Sequence, residues 1–448
     1  MIYKKPTIVR SNVRFITGLV VILSAITAWA IRHIYVIVSG NHGNLEIIFA
    51  LAFLVLAWTT LLSLFDIPKK VNRYQQSLLN KLNIAVIIPM FNEDPDMLKL
   101  CLTSIFTQTR KPNQIFLIDD GSYAANYAEI KSWATTTAKK MGIKFVWRKT
   151  QNMGKRHAQS VAVKLAKRTD IFVTIDSDGI LDKQAFKEGL KPFIDIKVNS
   201  VAGVVVTLNS QKNLLTRLSD LWFLTGQLID RSSMSVMGGV LVNSGVLAFY
   251  RANILNDNLE AYLNEEFYGA NVEFSDDSML TMYALASGGK AVQQTSSFAF
   301  TLMPENVSHH LRQYLRWMRG AFIRTWWRFK YLPLNSYAYW AHFFGWMQMV
   351  LSTLIFIALF VIQPAYTREV IPYLILVPIL VGYGQALRYF TVKRSDEGLL
   401  SQMLTFLLAP LATLWTFFVL RIVRWYAMAT CKQMNWGTRK NIEVSTSN

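Results

Sequence analysis

In the segment FVTIDSDG, residues 172–179, Asp176 and Asp178 stand one residue apart at the end of a short apolar run rich in β-branched residues. The chain carries 47 Lys and Arg against 28 Asp and Glu, so a close acid pair in it needs a reason. Either the pair faces water from a loop, or it holds a cation that in turn binds an anion. Two other acidic stretches share the placement: FNED follows the apolar run IAVIIPM, and DDGS, 119–122, completes the run QIFLI. One acidic strand end is a loop by default. Three in one open sheet converge on a single crevice, because ligands of such sheets bind beyond the carboxyl ends of the strands.

The chemistry that suits such a crevice is transfer of a sugar from a nucleoside diphosphate. That leaving group concentrates negative charge, and a hard divalent ion held by one or two carboxylates keeps its other positions for phosphate oxygens and water. On this reading Asp178 ligates Mg²⁺ or Mn²⁺ and Asp176 is directed towards the ribose and sugar of the donor, while Asp119 and Asp120 lie nearer the uracil and ribose. The segment GKRHAQ, 154–159, adds Lys155 and Arg156 where they can meet the donor, with a solvated surface role as the alternative for either.

The elements that must position these groups are legible as short apolar runs. IAVIIPM, QIFLIDD, IKFVWRK, IFVTIDS and VAGVVVT alternate with longer mixed stretches that suit helices, which predicts an α/β domain with a mainly parallel sheet and helical crossovers over about 82–330. Around it the chain is lipid-like. Of its 448 residues 52% are hydrophobic, and a formal charge of +19 then fits an anionic membrane face better than nucleic acid. Segments 16–38 and 46–65 are long enough to cross a hydrocarbon core of about 30 Å and form an expected hairpin within residues 1–70. Lys4, Lys5, Arg10 and Arg14 precede it and Lys69, Lys70 and Arg73 follow it, whereas the connector SGNHGNLE has no Lys or Arg, which puts both ends in the cytosol. After a catalytic region of 71–332, residues 333–448 return to lipid, with spans expected at 339–362 and 371–390. Pro410 divides the last apolar region, 399–420, and predicts a broken or re-entrant hairpin that keeps the C-terminus cytosolic. Only Cys101 and Cys431 are present, so no disulfide framework exists and a reducing, cytosol-facing catalytic region is expected.

Taken in order, VIIPMFNED, LIDDGS, NMGKRHAQ, TIDSD, NLLTRLSD (213–220), NSGVLAFYR (243–251), SDDS (275–278), QYLRW (313–317) and WGTRK (436–440) give the chain a close resemblance to one family. It resembles the hyaluronan synthase branch of the processive family 2 glycosyltransferases, relatives of chitin and cellulose synthases. The resemblance implies a GT-A fold, and in SDDS it matches Asp277 to the general base that deprotonates an acceptor hydroxyl. A helical pattern follows SDDS, so dipole stabilisation of Asp276 and Asp277 is the plainer alternative. QYLRW is similar to the family's QxxRW segment, which lies under the donor diphosphate and the acceptor sugar. On a helix Gln313, Arg316 and Trp317 share one face, so that Arg316 offers a fork of donors to phosphate and Trp317 a flat surface to a sugar. Ser244 and Gly245 resemble the positions beside the acceptor, with Val246 where the family has proline. Segments 213–233 and 308–331 are expected as amphipathic interfacial helices, a buried core helix being the alternative for the first.

The resemblance implies a multi-pass protein of the plasma (inner) membrane, with the catalytic domain and both termini cytosolic. It would extend a polysaccharide from UDP-sugars, with inversion, and pass it through a channel made by its own helices. Ser278 replaces the family's Arg after the acid pair, and Tyr314 and Leu315 replace a Gln and an Asn. These departures favour a UDP-N-acetylhexosamine donor and a capsule or O-antigen type polymer over hyaluronan made from UDP-N-acetylglucosamine and UDP-glucuronate. A non-processive transferase onto a lipid carrier and a transporter without transferase chemistry are the other readings. Neither nucleic acid nor an obligatory protein partner is implied.

Overall fold

The computed structural model describes residues 8–10, isolated positions between 18 and 36, and residues 45–357, 361 and 364–433. Most of the segment 16–38 and the WGTRK tail lie outside the described residues.

The five apolar runs all become strands of one eight-stranded sheet: β1 Ile84–Met90, β2 Gln114–Asp119, β3 Lys144–Lys149, β4 Ile171–Thr174, β5 Ile180–Leu181, β6 Val198–Thr207, β7 Ala248–Arg251 and β8 Lys290–Thr301. The order across the sheet is β3-β2-β1-β4-β7-β6-β8-β5. β1 runs parallel to β2 and β4, β2 to β3, and β6 to β8. β7 is antiparallel to both β4 and β6, and β5 to β8. The sheet is therefore mixed and mainly parallel. The antiparallel pairing of β7 matters for the site: Ala248 stands opposite Thr174, so residues 244–247, which lead into β7, lie beside residues 175–178, which leave β4.

Helices cover both faces, which is why β1 reads as an unbroken apolar run with every residue buried. Val86 and Ile88 pack with Leu98 and Leu102 of a helix at Pro95–Phe106. Ala85 and Ile87 pack on the other side with Ala158 and Ala162 of a helix at Lys155–Leu165, and with Leu280 of one at Asp276–Ala286. Asp94 of FNED caps the first of these, accepting from the Asp96 and Met97 amides at 2.9 and 3.0 Å, with Pro95 in the first turn.

The segment expected as the first interfacial helix forms at Leu214–Gly226, opened by a capping box between Asn213 and Thr216, and continues through a π turn at Gln227–Arg231. It is wedged in: Leu221, Leu224 and Leu228 share a core with Val204, Val206 and Phe300 of the sheet and with Ala386, Ala409 and Ala412 of the C-terminal helices. The helix carrying QYLRW spans Val307–Tyr331.

Helices at Leu45–Ser63, Tyr337–Ile357 and Pro364–Ala386 occupy the other expected spans. Among the described residues one helix, Ala409–Ala429, is long and apolar enough to cross a membrane. The sequence expectation ended this last apolar region at 420, and the helix runs nine residues further. Pro410 does break the run, after a helix at Leu399–Leu407, but it stands in the first turn of the next helix, where a missing N–H costs nothing, and that helix continues to Ala429. Buried arginines tie the C-terminal segment to the sheet and to the Leu45–Ser63 helix. Arg394 donates to the Thr207 carbonyl at 2.9 Å and pairs with Asp220 at 3.5 Å, and Arg388 donates to the Ser63 carbonyl at 3.0 Å.

Candidate active site

The acidic strand ends meet at the carboxyl edge of the sheet, as their placement in the sequence predicts. Asp119 closes β2, and its carboxylate accepts from the Ser122 amide at 2.8 Å. Asp120 accepts from the Met153 and Gly154 amides at 3.0 and 2.8 Å, which fixes the loop that starts the Lys155–Leu165 helix. Burial raises its pKa, and those two amides oppose the rise. Both aspartates are buried and shape the loops that form one wall of the crevice.

Lys155 is the centre of the site's charge. Its ammonium lies 2.8 Å from Asp176 and 3.0 Å from Asp276, joining the DSD and SDDS motifs, which are 100 residues apart in the chain. Burial works against the charged amine, but the two carboxylates outweigh it and hold its pKa above the ordinary value. Gly245 lies on this ion pair: a Cβ there would stand 3.0 Å from Asp176 Oδ2 and 3.3 Å from Lys155 Nζ, close enough that the pair would have to give by a few tenths of an ångström.

The two acids of SDDS are pushed apart. Asp276 is buried and accepts from Gln159 at 3.0 Å as well as from Lys155. Burial alone would raise its pKa, yet Lys155 dominates and holds it low. Asp277, next in the first turn of the Asp276–Ala286 helix, is raised to about 6 by burial and then by Asp276, against the pull of Lys155 and of the Ser278 amide that donates to it at 2.7 Å. One member of the pair is thus a fixed anion, and the other is poised to take a proton near neutral pH.

Asp178 accepts from Thr301 Oγ1 at 3.3 Å on the far side of the crevice. Beneath the motif, Ser177 donates to Glu93 at 2.6 Å, and the Cys101 thiol lies 3.8 Å from the Asp176 carbonyl. The thiol's pKa is raised well above its usual value by burial and then by Asp178, Glu93 and Asp176, which marks a locally anionic corner. Among the described residues no group of three His, Cys, Asp or Glu side chains is placed to hold an ion by itself. An ion there would take its remaining ligands from a diphosphate and water, as Mg²⁺ and Mn²⁺ sites on nucleotides do.

Of the QYLRW residues, Trp317 stacks on Phe223 with ring centroids 5.8 Å apart and planes at 23°. Tyr314, one turn earlier on the same side of the helix, is buried against Trp222. Arg316 and Gln313 share the partly buried flank with Trp317.

Arg156, expected with Lys155 at the donor, does not face the crevice. Arg156 follows Lys155, but successive helical residues point about 100° apart, and Arg156 turns into the core. There it pairs with Glu265 and donates to the Phe274 carbonyl at 2.8 Å. Residues that sequence reasoning missed are Glu265, Arg231 and Gly320. Arg231, partly buried at the end of the π turn, is lowered to about 10 by desolvation and sustained by the charge of Asp277. A Cβ on Gly320 would lie 2.7 Å from Ser275 Cβ, so this glycine lets the QYLRW helix pass directly over the left-handed Ser275, φ 62°, that precedes the acid pair. A glycine inside an otherwise strong helical pattern is the one signal the sequence offered for it.

A cavity of about 690 Å³ lies next to this helix, lined in part by Trp58, Leu241, Met318, Arg328, Tyr337 and His342. Met318 follows Trp317 directly, and Leu241, whose carbonyl accepts from Arg328 at 2.9 Å, is three residues short of Ser244.

Comparison with known proteins agrees with this geometry. The sequence profile described as "Glycosyltransferase like family 2" matches residues 82–320. A hyaluronan synthase of Streptococcus pyogenes serotype M1 is 32% identical over 363 residues, 81% of this chain and 84% of that protein. An N-acetylglucosaminyltransferase of Azorhizobium caulinodans is 32% identical over 245 residues, 54% of this chain and 60% of that one. Among solved structures, a mannosyltransferase from Pyrobaculum calidifontis in complex with GDP-Man and Mn²⁺ superimposes with a TM-score of 0.50 at 17% identity, covering 88% of this chain and 99% of its own, a likeness of fold.

Proposed function

The chain belongs to glycosyltransferase family 2, as a homologue of hyaluronan synthase with a GT-A fold, and from that premise we propose that it is a processive, inverting polysaccharide synthase that uses UDP-sugars. The observation that carries the proposal is the Lys155 ammonium, which lies 2.8 Å from Asp176 and 3.0 Å from Asp276 and so joins the DSD and SDDS acids in one charged crevice, with Asp277 next in the chain.

In this reading the acceptor hydroxyl oxygen attacks the anomeric carbon of the donor as the bond to the β-phosphate oxygen breaks. The electron pair leaves with UDP, the hydroxyl proton passes to Asp277, and configuration inverts in one displacement. Asp178 would hold Mg²⁺ or Mn²⁺, which supplies positive charge to the leaving diphosphate. The anionic corner around Asp178, Glu93 and Asp176 fits such an ion. Arg316 adds a forked donor to the diphosphate. Lys155 keeps Asp176 oriented towards the donor sugar, and Asp119 and Asp120 set the loops that face the uracil and ribose. Ser244 and Gly245 border the acceptor, and Trp317, backed by Phe223, with Gln313 on the same flank, supports its terminal sugar.

Translocation is supported by the cavity of about 690 Å³, which is lined by Met318 and Arg328 of the QYLRW helix, by Leu241 and by aromatic as well as polar groups, and is large enough for several sugar units. We place the protein in the plasma (inner) membrane as a multi-pass chain with a cytosolic catalytic domain. An N-acetylhexosamine polymer is the favoured product, because Ser278 stands beside the acid pair where the resemblance leads one to expect Arg. The test is to supply purified protein with single UDP-sugars and with mixtures and to identify the polymer. Synthesis from a UDP-N-acetylhexosamine alone supports the assignment. Strict dependence on UDP-glucuronate would establish a hyaluronan-type product instead, and addition of one sugar to a lipid carrier would replace the polymerising reading.

A further inference from the structure

Glu265 lies outside every motif of the sequence, between a short helix at Leu259–Leu263 and the hairpin of Glu266–Phe267 with Ala270–Asn271. Its carboxylate is 3% exposed and receives two guanidinium groups. Arg156 pairs with Oε2. Arg324 meets both oxygens, with Nη2 at 2.9 Å from Oε2. Each arginine then reaches past Glu265 to the backbone just ahead of the acid pair: Arg156 Nη2 donates to the Phe274 carbonyl at 2.8 Å, and Arg324 Nη2 to the Ser275 carbonyl at 3.4 Å.

The three side chains come from three different elements of the site. Arg156 neighbours Lys155 on the Lys155–Leu165 helix. Arg324 stands two turns beyond Trp317 on the QYLRW helix. Glu265 leads into the strap 272–275 that delivers Asp276 and Asp277. A second link runs parallel to the first, because Arg156 lies over the Tyr262 ring at 5.0 Å, the Tyr262 hydroxyl donates to Gln159, and Gln159 donates to Asp276 at 3.0 Å. Two buried cations share one carboxylate, so removing its charge leaves both without that partner in a region where water cannot replace it. Gly320 brings the QYLRW helix against Ser275 at the same point. The geometry required of a general base is strict to a fraction of an ångström, and the strap has no regular secondary structure of its own between Asn271 and Asp276.

We propose that Glu265 is a positioning residue of the transferase: through Arg156 and Arg324 it sets the strap of residues 272–277, and with it the Asp277 carboxylate, in register with Lys155 and with the helix face that carries Gln313, Arg316 and Trp317. The proposal rests on the reading of Asp277 as the base.

The test uses full-length protein in detergent or nanodiscs, with the UDP-sugar that wild type turns over fastest. UDP affinity by calorimetry, kcat, KM and melting temperature are measured for Glu265→Gln, for Glu265→Asp, and for Arg324→Lys, which keeps the charge but not the fork. Glu265→Gln is expected to lower kcat about 10- to 100-fold while UDP affinity and KM stay within about twofold. Glu265→Asp should recover at least half of that loss on a logarithmic scale. If Glu265→Gln does not fold, Arg324→Lys is expected to show the same selective fall in kcat. Folded Glu265→Gln or Arg324→Lys with wild-type kcat overturns the proposal, as does a loss confined to UDP affinity. Asp277→Asn, run alongside, separates the two ideas. If it is inactive while the Glu265 and Arg324 variants turn over normally, the positioning role alone fails; if it stays active, the base assignment falls and takes the positioning role with it.

Discussion

Replacing Asp277 by Asn keeps the shape of the side chain and removes its ability to take a proton. If Asp277 is the base, turnover should fall by about 10²- to 10⁴-fold, the usual worth of a positioned general base, which is roughly 3–5 kcal/mol of barrier. UDP binding should stay within about twofold of wild type, because the donor diphosphate is met by other groups. The pH profile gives a second, independent reading. The groups that act on Asp277 are Asp276 and Asp176, which raise its pKa, and Lys155 and the Ser278 amide, which lower it. Arg231, Tyr250 and Arg328 also feel its charge. With the carboxyl at about 6, kcat should be on a plateau at pH 7.5, reach about half of it near pH 6, and drop about tenfold per pH unit below. Stability should move in the opposite sense. The folded protein holds this proton more tightly than the unfolded chain, so the stabilising contribution is complete below the ordinary value of 3.8 and is lost as pH rises through about 6. That difference corresponds to roughly 3 kcal/mol at most, so Asp277→Asn should melt no lower than wild type at pH 7.5. The assay is UDP release from pH 5 to 9, with calorimetric UDP affinity and thermal melting. Near wild-type synthesis by Asp277→Asn, or a wild-type profile flat to pH 5, would refute the assignment and leave the acid pair as a helix cap.

Chelation with EDTA should abolish transfer, Mn²⁺ or Mg²⁺ should restore it, and Asp178→Asn should weaken UDP affinity in the presence of metal together with turnover; full activity in a metal-free preparation would contradict the role of Asp178. Arg316→Ala removes charge beside the diphosphate and should lower both donor affinity and kcat, unlike Asp277→Asn, and unchanged donor affinity would place Arg316 elsewhere. Gly320→Ala forces a Cβ to within 2.7 Å of Ser275 Cβ, so despite the better helix propensity of Ala it should cost about 1–3 kcal/mol and slow turnover. A Gly320→Ala protein with wild-type melting and kcat would mean that the helix does not bear on the acid pair.

Much of the fold could be read from the sequence because both faces of the sheet are covered, so its strands appear as unbroken apolar runs such as IAVIIPM. The site could be read in outline because its acids stand at the ends of those runs. The antiparallel entry of β7 was not legible, although it is what carries Gly245 onto the Asp176–Lys155 pair, since strand direction is set by pairing across the sheet and not by the residues of the strand. The fate of Lys155 and Arg156 was equally hidden. Two adjacent cations look alike in a sequence, and the helix rotation that sends one to Asp176 and the other to Glu265 follows from which face packs on β1. Glu265 carried no signal, because its partners come from positions 156 and 324. The π turn that places Arg231 near Asp277 arises from a local widening of the helix that no residue type announces. The sequence reading took the segment from Leu214 as an interfacial helix, with a buried core helix as the alternative, because its apolar face suits either, and the structure packs it between the sheet and the C-terminal helices.

The central claim is that this family 2 transferase builds a polymer without releasing it between additions. The most direct measurement is the size distribution of product made from the preferred UDP-sugar when only a small fraction of the donor has been consumed, with UDP release followed in the same reaction. The account predicts long chains from the earliest time points, one UDP released for each sugar incorporated, and no ladder of short intermediates. A ladder that lengthens evenly with time, a single sugar added to a lipid carrier, or no UDP release from any UDP-sugar in the presence of Mn²⁺ or Mg²⁺ would contradict it.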